Sequence, residues 1–134
     1  MNTRIHYEYR DGSNYRFHGS IVAGGEMTPV LWARMRRACD SGAECGFIAH
    51  QVGIPEVFGF LPGPHVTWLP EGEAPAYDEE NDHCWHRLTD ASGAWELTSD
   101  AATDGRAVEE LVGAFEVAAK TGWKVFDPAE RFGL

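Results

Sequence analysis

The sequence predicts an α+β fold: a mainly antiparallel sheet of about four to six strands, with two main helices packed on one face. Several short stretches alternate apolar and polar residues, which is the period of a half-buried strand. Two longer stretches repeat apolar residues at helical spacing between recognisable caps. Strands and helices do not alternate regularly along the chain, so an antiparallel sheet is favoured over a parallel one. The 134 residues, 43% of them apolar, suffice for one domain spanning 1–134 with its own core.

The chain opens with a predicted β-hairpin. Apolar and polar side chains alternate from residue 4 to residue 10, and the alternation resumes after a turn signal at 11–14. Two registers keep the apolar faces matched, one with Arg10 opposite Arg16 and the other with Glu8 opposite Arg16. The second avoids a like-charge pair and gains an opposite-charge pair, so we expect that register.

Two helices follow from their caps and apolar stripes. Thr28-Pro29 supplies a capping hydroxyl and a proline in the first turn, which predicts a helix running to about Cys39. The second helix is expected to begin at Thr103 or Asp104 and to end at Gly122. The expected buried stripes are Leu31, Met35 and Ala38 in the first helix, and Val108, Leu111, Val112, Phe115 and Ala119 in the second.

The remaining stretches are less regular. We expect a strand within 45–52 and a short helical turn at 55–61. A proline-rich loop should follow at 62–81, with a short strand at 65–69 inside it. Two strands are expected at 83–88 and 94–98, joined by a hairpin-length loop, and a short strand or packed tail at 123–126. Long loops in compact domains are commonly functional, so the proline-rich loop is the predicted contact region.

The charge is concentrated in one part of the chain. The net charge of −10 argues against direct binding to nucleic acid or to an anionic membrane. Residues 71–116, called the acidic segment below, carry thirteen acidic residues against two basic ones, whereas residues 1–70 are neutral overall. Either this segment is a solvated face, or it binds a protein with a basic surface. The leading hypothesis is an inhibitor or accessory factor of a nucleic-acid-handling protein. Its expected contact residues are Trp68, Glu71, Glu73, Tyr77, Asp78, Glu79, Glu80 and Asp82.

The tract 82–86 holds the densest group of reactive side chains. In a strand, Cys84 and His86 lie on the same face as Asp82, which suggests a nucleophile, a base and an orienting carboxylate. Cys84 and His86 could instead join Cys39 and Cys45 in a tetrahedral zinc site. The spacing matches no common zinc motif and no local catalytic signature. A metal-dependent or thiol enzyme is therefore the alternative, and a non-enzymatic role is favoured.

Two further clusters are weaker candidates. His6 and His18 share the polar face of the first hairpin and could hold an anion or a metal, although outward polar residues are ordinary in antiparallel sheets. Arg34, Arg36 and Arg37 could bind a phosphate or a partner carboxylate, although exposed arginines are usually solvated or paired. A small-molecule-binding domain that uses the aromatic residues of the loop and sheet is a second alternative.

Composition also bears on cofactor, compartment and assembly. No glycine-rich phosphate-binding motif occurs, so no cofactor is expected. Three cysteines without framework spacing, and the lack of a signal peptide or membrane-spanning stretch, predict a cytoplasmic protein. Five tryptophans leave room for a homodimer.

Overall fold

A computed structural model describes residues 1–66, 75–89 and 94–134. It confirms the α+β class, with a mainly antiparallel five-stranded sheet and three helices, of which two are substantial. The strands are β1 (Asn2–Arg10), β2 (Arg16–Ala23), β3 (Gly46–Phe47), β4 (His86–Leu88) and β5 (Trp95–Thr98). The helices are α1 (Pro29–Ala38), α2 (Val108–Thr121) and α3 (Pro128–Phe132), and short 3₁₀ turns cover Ser41–Ala43 and Ala49–Val52.

The first hairpin forms as expected, but in the other register. Arg10 lies opposite Arg16, so the prediction that Glu8 opposes Arg16 is wrong. The two arginines tolerate each other because they lie beside different carboxylates, both of which also contact Arg87. Arg10 binds Glu44, and the Nε of Arg16 lies 4.0 Å from the Oε2 of Glu8. Ion pairing outside the two facing positions therefore outweighs the like-charge pair.

β4 and β5 do not form the expected hairpin with each other. Both pair antiparallel with β1, where Leu88 lies opposite Tyr7 and Trp95 opposite Ile5. They thus lie end to end on the side of β1 that faces away from β2. Of the segment that joins them, residues 90–93 lie outside the described part. The sheet order is β2-β1-β4-β3, so β2 forms one edge.

The core lies between the sheet and the helices. α1 and α2 pack against each other, and an ion pair between Arg34 and Glu116, with an N–O distance of 2.6 Å, joins them. The odd-numbered side chains of β1 and β2 enter one continuous core with residues of α1 and α2; its largest fully buried members include Tyr7, Tyr9, Phe17, Met35, Phe47, Phe58, Leu111 and Phe115. No helix of the described residues is long and apolar enough to cross a membrane.

The helix ends follow their hydrogen bonds. Thr28 caps α1 as predicted, because its hydroxyl oxygen accepts the N–H of Leu31 at 3.2 Å. α2 begins after Ala107, later than predicted, because the expected caps are engaged elsewhere. The Thr103 hydroxyl oxygen accepts the N–H of Val22, and Asp104 binds Arg106. Gly122 ends α2 as predicted, with a positive φ of 104°.

Three irregular stretches replace predicted elements. Residues 55–61 form no helical turn, because their backbone groups bind side chains: the Pro55 carbonyl accepts the Tyr7 hydroxyl and the Val57 N–H donates to His86. Within 45–52 only Gly46–Phe47 is a strand, and a 3₁₀ turn follows. Residues 123–126 form the packed tail rather than a strand. A short strand was expected at 65–69. Residues 65 and 66 pair with no strand, and residues 67–69 lie outside the described residues.

Candidate functional site

The tract 82–86 does not assemble the expected catalytic group. Only His86 of this tract is in a strand, and Asp82 is engaged elsewhere. One Asp82 oxygen accepts the Tyr9 hydroxyl at 2.6 Å and the other accepts the N–H of Asp78 at 2.8 Å. Asp82 therefore fastens the turn at 78–82 to β1, and no hydrogen bond joins it to His86.

His86 is a buried neutral side chain. It lies among aromatic rings, with its ring centroid 4.6 Å from that of Phe58, and its Nε2 accepts the N–H of Val57 at 2.9 Å. The proton must then be on Nδ1, which has no hydrogen-bond partner. Burial lowers the pKa of His86 to about 3 and raises the pKa of the Cys84 thiol. The arrangement therefore contains neither an activated thiol nor a base with a free lone pair.

The four candidate zinc ligands also stay apart. Cys39 is buried, its Sγ lies 3.5 Å from the Met35 carbonyl, and burial raises the pKa of its thiol to about 12. Cys45 is half-buried and its Sγ lies 3.7 Å from the guanidinium of Arg36. Within residues 1–66, 75–89 and 94–134, no three His, Cys, Asp or Glu side chains are grouped to hold a metal ion. Cys39, Cys45, Cys84 and His86 are not brought together.

The described residues of the acidic segment do not lie on one surface. Its 78–82 turn packs at the hairpin end of β1, where the Asn81 carbonyl accepts the N–H of Gly12 at 2.8 Å. Asp100 lies at the opposite end of β1, where its carbonyl accepts the side-chain amide of Asn2. The two ends of a nine-residue strand are roughly 25 Å apart. The described acidic residues are therefore spread along the sheet and do not form a single patch.

The expected contact residues divide into three groups. Tyr77, Asp78 and Asp82 have internal partners; the Tyr77 ring, for example, packs edge-on against Phe60. Glu79 and Glu80 are exposed, with no ion pair to any described residue. Trp68, Glu71 and Glu73 lie outside the described residues.

The histidines and arginines singled out from the sequence are dispersed. The Nε2 of His6 lies 3.3 Å from Oε1 of Glu96, whereas His18 of β2 is exposed and lies opposite Glu8 of β1. Of the arginines in α1, Arg34 is paired with Glu116 on α2. The two histidines therefore do not converge, whereas Arg34 and Arg37 both lower the pKa of Glu116 and Arg36 lies beside Cys45.

The edge of β2 is the feature that the sequence did not reveal. The N–H of His6 donates to Ala94 and its carbonyl accepts from Thr89, so the even-numbered residues of β1 face β4 and β5. Its odd-numbered residues therefore face β2. On β2, the N–H and C=O groups of His18 and Ser20 consequently point away from β1, and they have no backbone partner among the described residues.

The remainder of this edge is covered. The Val22 carbonyl accepts the N–H groups of Thr103 and Asp104, and the Val22 N–H donates to the Thr103 hydroxyl. His18 and Ser20 are therefore the two outward-facing positions of β2 without a backbone partner among the described residues, and both are exposed. We call these two residues the free edge.

A groove borders the free edge. It consists of two adjoining cavities of about 440 and 520 Å³, which share Ser20 and Pro55. Their walls come from the segments 53–57, 62–65 and 103–106. An extended chain lying beside β2 would place alternate side chains toward this groove.

Gly19 and Tyr7 hold the groove in shape. A Cβ at Gly19 would lie 2.7 Å from the Tyr7 ring, so only glycine lets this ring lie across β2. The Tyr7 hydroxyl then donates to the Pro55 carbonyl at 2.6 Å and holds that segment beside the edge. A glycine inside a predicted strand was the one sequence signal of this close approach.

β5 has a second unpaired edge. By the same alternation, the backbone groups of Trp95 and Leu97 point away from β1. No residue of β5 lines the two cavities of the groove. This edge therefore serves as an internal comparison for the free edge of β2.

Comparisons of the chain with protein-family models, with curated proteins and with solved structures find no match.

Proposed function

We propose that this protein is a small, non-catalytic binding protein that takes up an extended, basic segment of another protein along the free edge of β2. The observation that carries the proposal is the pair of unpaired backbone positions, His18 and Ser20, beside a preformed groove. Strand addition is a common mode of peptide recognition, in which main-chain hydrogen bonds give affinity and side-chain pockets give specificity.

The groove supplies what the edge itself lacks. Each of His18 and Ser20 presents one N–H and one C=O, so an added strand would gain up to four main-chain hydrogen bonds. Pro55, Pro62 and Pro64 make the facing wall stiff, which lowers the entropy lost when a partner segment is ordered. The site is thus built for a short extended segment.

The charge supports a basic partner. The chain carries a net charge of −10, and the exposed carboxylates of Glu79, Glu80 and Glu109 have no ion pair among the described residues. Such a field raises the rate of association with a basic segment and is screened by salt. Proteins that handle nucleic acids present segments of this kind, so an inhibitor or accessory factor of such a protein, acting in the cytoplasm, is the specific form of the proposal.

Proline variants provide the test. Ser20→Pro removes an N–H that points away from β1, so it blocks strand addition without breaking a backbone hydrogen bond of the hairpin; it also removes the hydroxyl that accepts from Arg4 at 3.3 Å. Leu97→Pro does the same at the β5 edge, and Ser20→Thr changes the side chain while keeping the N–H. The tagged wild type and these three variants are used for affinity capture from the native host at about 0.05 M and about 0.5 M salt.

We expect the wild type, Ser20→Thr and Leu97→Pro to capture the same protein, and we expect high salt to weaken the capture. Ser20→Pro should lose that protein while its circular dichroism remains that of the wild type. Retention of the same protein by folded Ser20→Pro, or the lack of any captured protein, would contradict the proposal. Equal capture at both salt concentrations would remove the requirement for a basic partner.

A further inference from the structure

A separate cavity of about 300 Å³ lies on the polar side of the sheet, near the end of β1. Arg10, Glu44, Trp85 and Arg87 line it, and we call it the Trp85 cavity. Its volume is at the lower end of the range of small-molecule sites. We propose that it binds a small aromatic carboxylate, whose charged group replaces the carboxylate of Glu44 between Arg10 and Arg87.

Arg87 is the preorganised cation of this site. Its Nε and Nη2 both lie 3.0 Å from Oε1 of Glu8, a carboxylate that is 1% exposed at the centre of the sheet. The side chain of Arg87 is itself only 17% exposed. Its Nη1 remains directed at the cavity, where it donates to Glu44 at 2.8 Å. Removing Glu44 would therefore leave Arg87 in place.

Glu44 is the replaceable group. One oxygen, Oε2, accepts from both Arg10 and Arg87, while the side chain remains 63% exposed. Because the side chain of Glu44 is largely exposed, an external carboxylate can displace it at low cost.

Trp85 supplies a flat apolar wall. A Cβ at Gly46 would lie 2.9 Å from the Trp85 ring, so the glycine lets the indole pack directly on β3. The backbone N–H of Trp85 donates to Nδ1 of His83, whose Nε2 donates to the Arg10 carbonyl at 2.7 Å. His83 therefore fixes the backbone that carries the indole relative to β1, and a planar ring attached to a carboxylate fits between the indole and the arginines.

The test uses benzoate as the probe, with three other compounds to separate its features: acetate lacks the ring, benzamide lacks the charge, and inorganic phosphate carries the charge in another shape. Binding to the full chain is measured by calorimetry and by the NMR shift of the Trp85 indole N–H. Glu44→Gln removes the internal competitor, and Glu109→Gln is the matched control because Glu109 is exposed and also loses one negative charge.

We expect Glu44→Gln to bind benzoate roughly tenfold more tightly than the wild type or Glu109→Gln, the effect of about one charge-assisted contact. Acetate and phosphate should bind more weakly and benzamide should not bind. Adding Arg10→Gln to Glu44→Gln should reverse the gain. The proposal is overturned if benzoate does not bind Glu44→Gln at millimolar concentration, if Glu109→Gln gains as much, or if benzamide binds equally well.

Discussion

The buried imidazole of His86 makes the stability of the fold depend on pH. In the unfolded chain this side chain takes up a proton near its ordinary pKa of 6.5, whereas in the folded chain burial lowers the pKa to about 3. Acid therefore stabilises the unfolded state, and stability is lost as the pH falls from about 6.5 toward 3. From the two pKa values, the loss between pH 7 and pH 5 is about 2 kcal/mol.

His86→Gln isolates this contribution. Glutamine can accept the N–H of Val57 without titrating, so the variant should lose about 2 kcal/mol less than the wild type between pH 7 and pH 5. Urea unfolding followed by tryptophan fluorescence measures both differences, and carboxylate titration is common to both proteins. If the wild type and His86→Gln lose the same stability between pH 7 and pH 5, burial of His86 does not cause the pH dependence.

Three further predictions concern backbone positions. Gly59→Ala would place a Cβ 2.2 Å from the Phe17 ring, so urea unfolding should show a loss of about 1–3 kcal/mol, whereas Gly113→Ala in α2, which meets no atom within 4 Å, should gain about 0.5–1 kcal/mol. A gain at Gly59 would show that the core is looser there than the packing indicates. Ala107→Ser should add a capping hydroxyl at the N-terminus of α2, where the Ala107 N–H already donates to Glu110. The free energy of unfolding should rise by about 0.5–1 kcal/mol, which is measured as a higher thermal midpoint. An unchanged midpoint would contradict the assignment of Ala107 as the cap.

Local signals predicted the fold class and several boundaries. Thr28 caps α1 and Gly122 ends α2 through contacts within a few residues, so their spacing in the sequence is informative. In the observed register of the first hairpin, by contrast, Arg10 is paired with Glu44, which is 34 residues away in the chain. The start of α2 likewise depends on Thr103 binding Val22 across 81 positions. Such partners are set by tertiary packing and leave no periodic signal.

The candidate site was less predictable than the fold. Alternation places His18 and Ser20 on the polar face of β2, but it does not say which strand forms an edge. His86 is in an alternating stretch, yet its Nε2 accepts the N–H of Val57, which lies in an irregular segment. Glu44 and Arg87 come together only because β3 pairs with β4. These features depend on strand order, which hydrophobic patterning does not encode.

Amide hydrogen exchange shows directly whether a partner strand adds to β2 at the free edge. In the protein alone, the amides of His18 and Ser20 should exchange rapidly, while those of Gly19 and Ile21, which face β1, should be protected. In complex with the captured partner, His18 and Ser20 should become protected while Leu97 stays unprotected. Protection of His18 and Ser20 before any partner is added, or unchanged exchange in the complex, would contradict strand addition along β2.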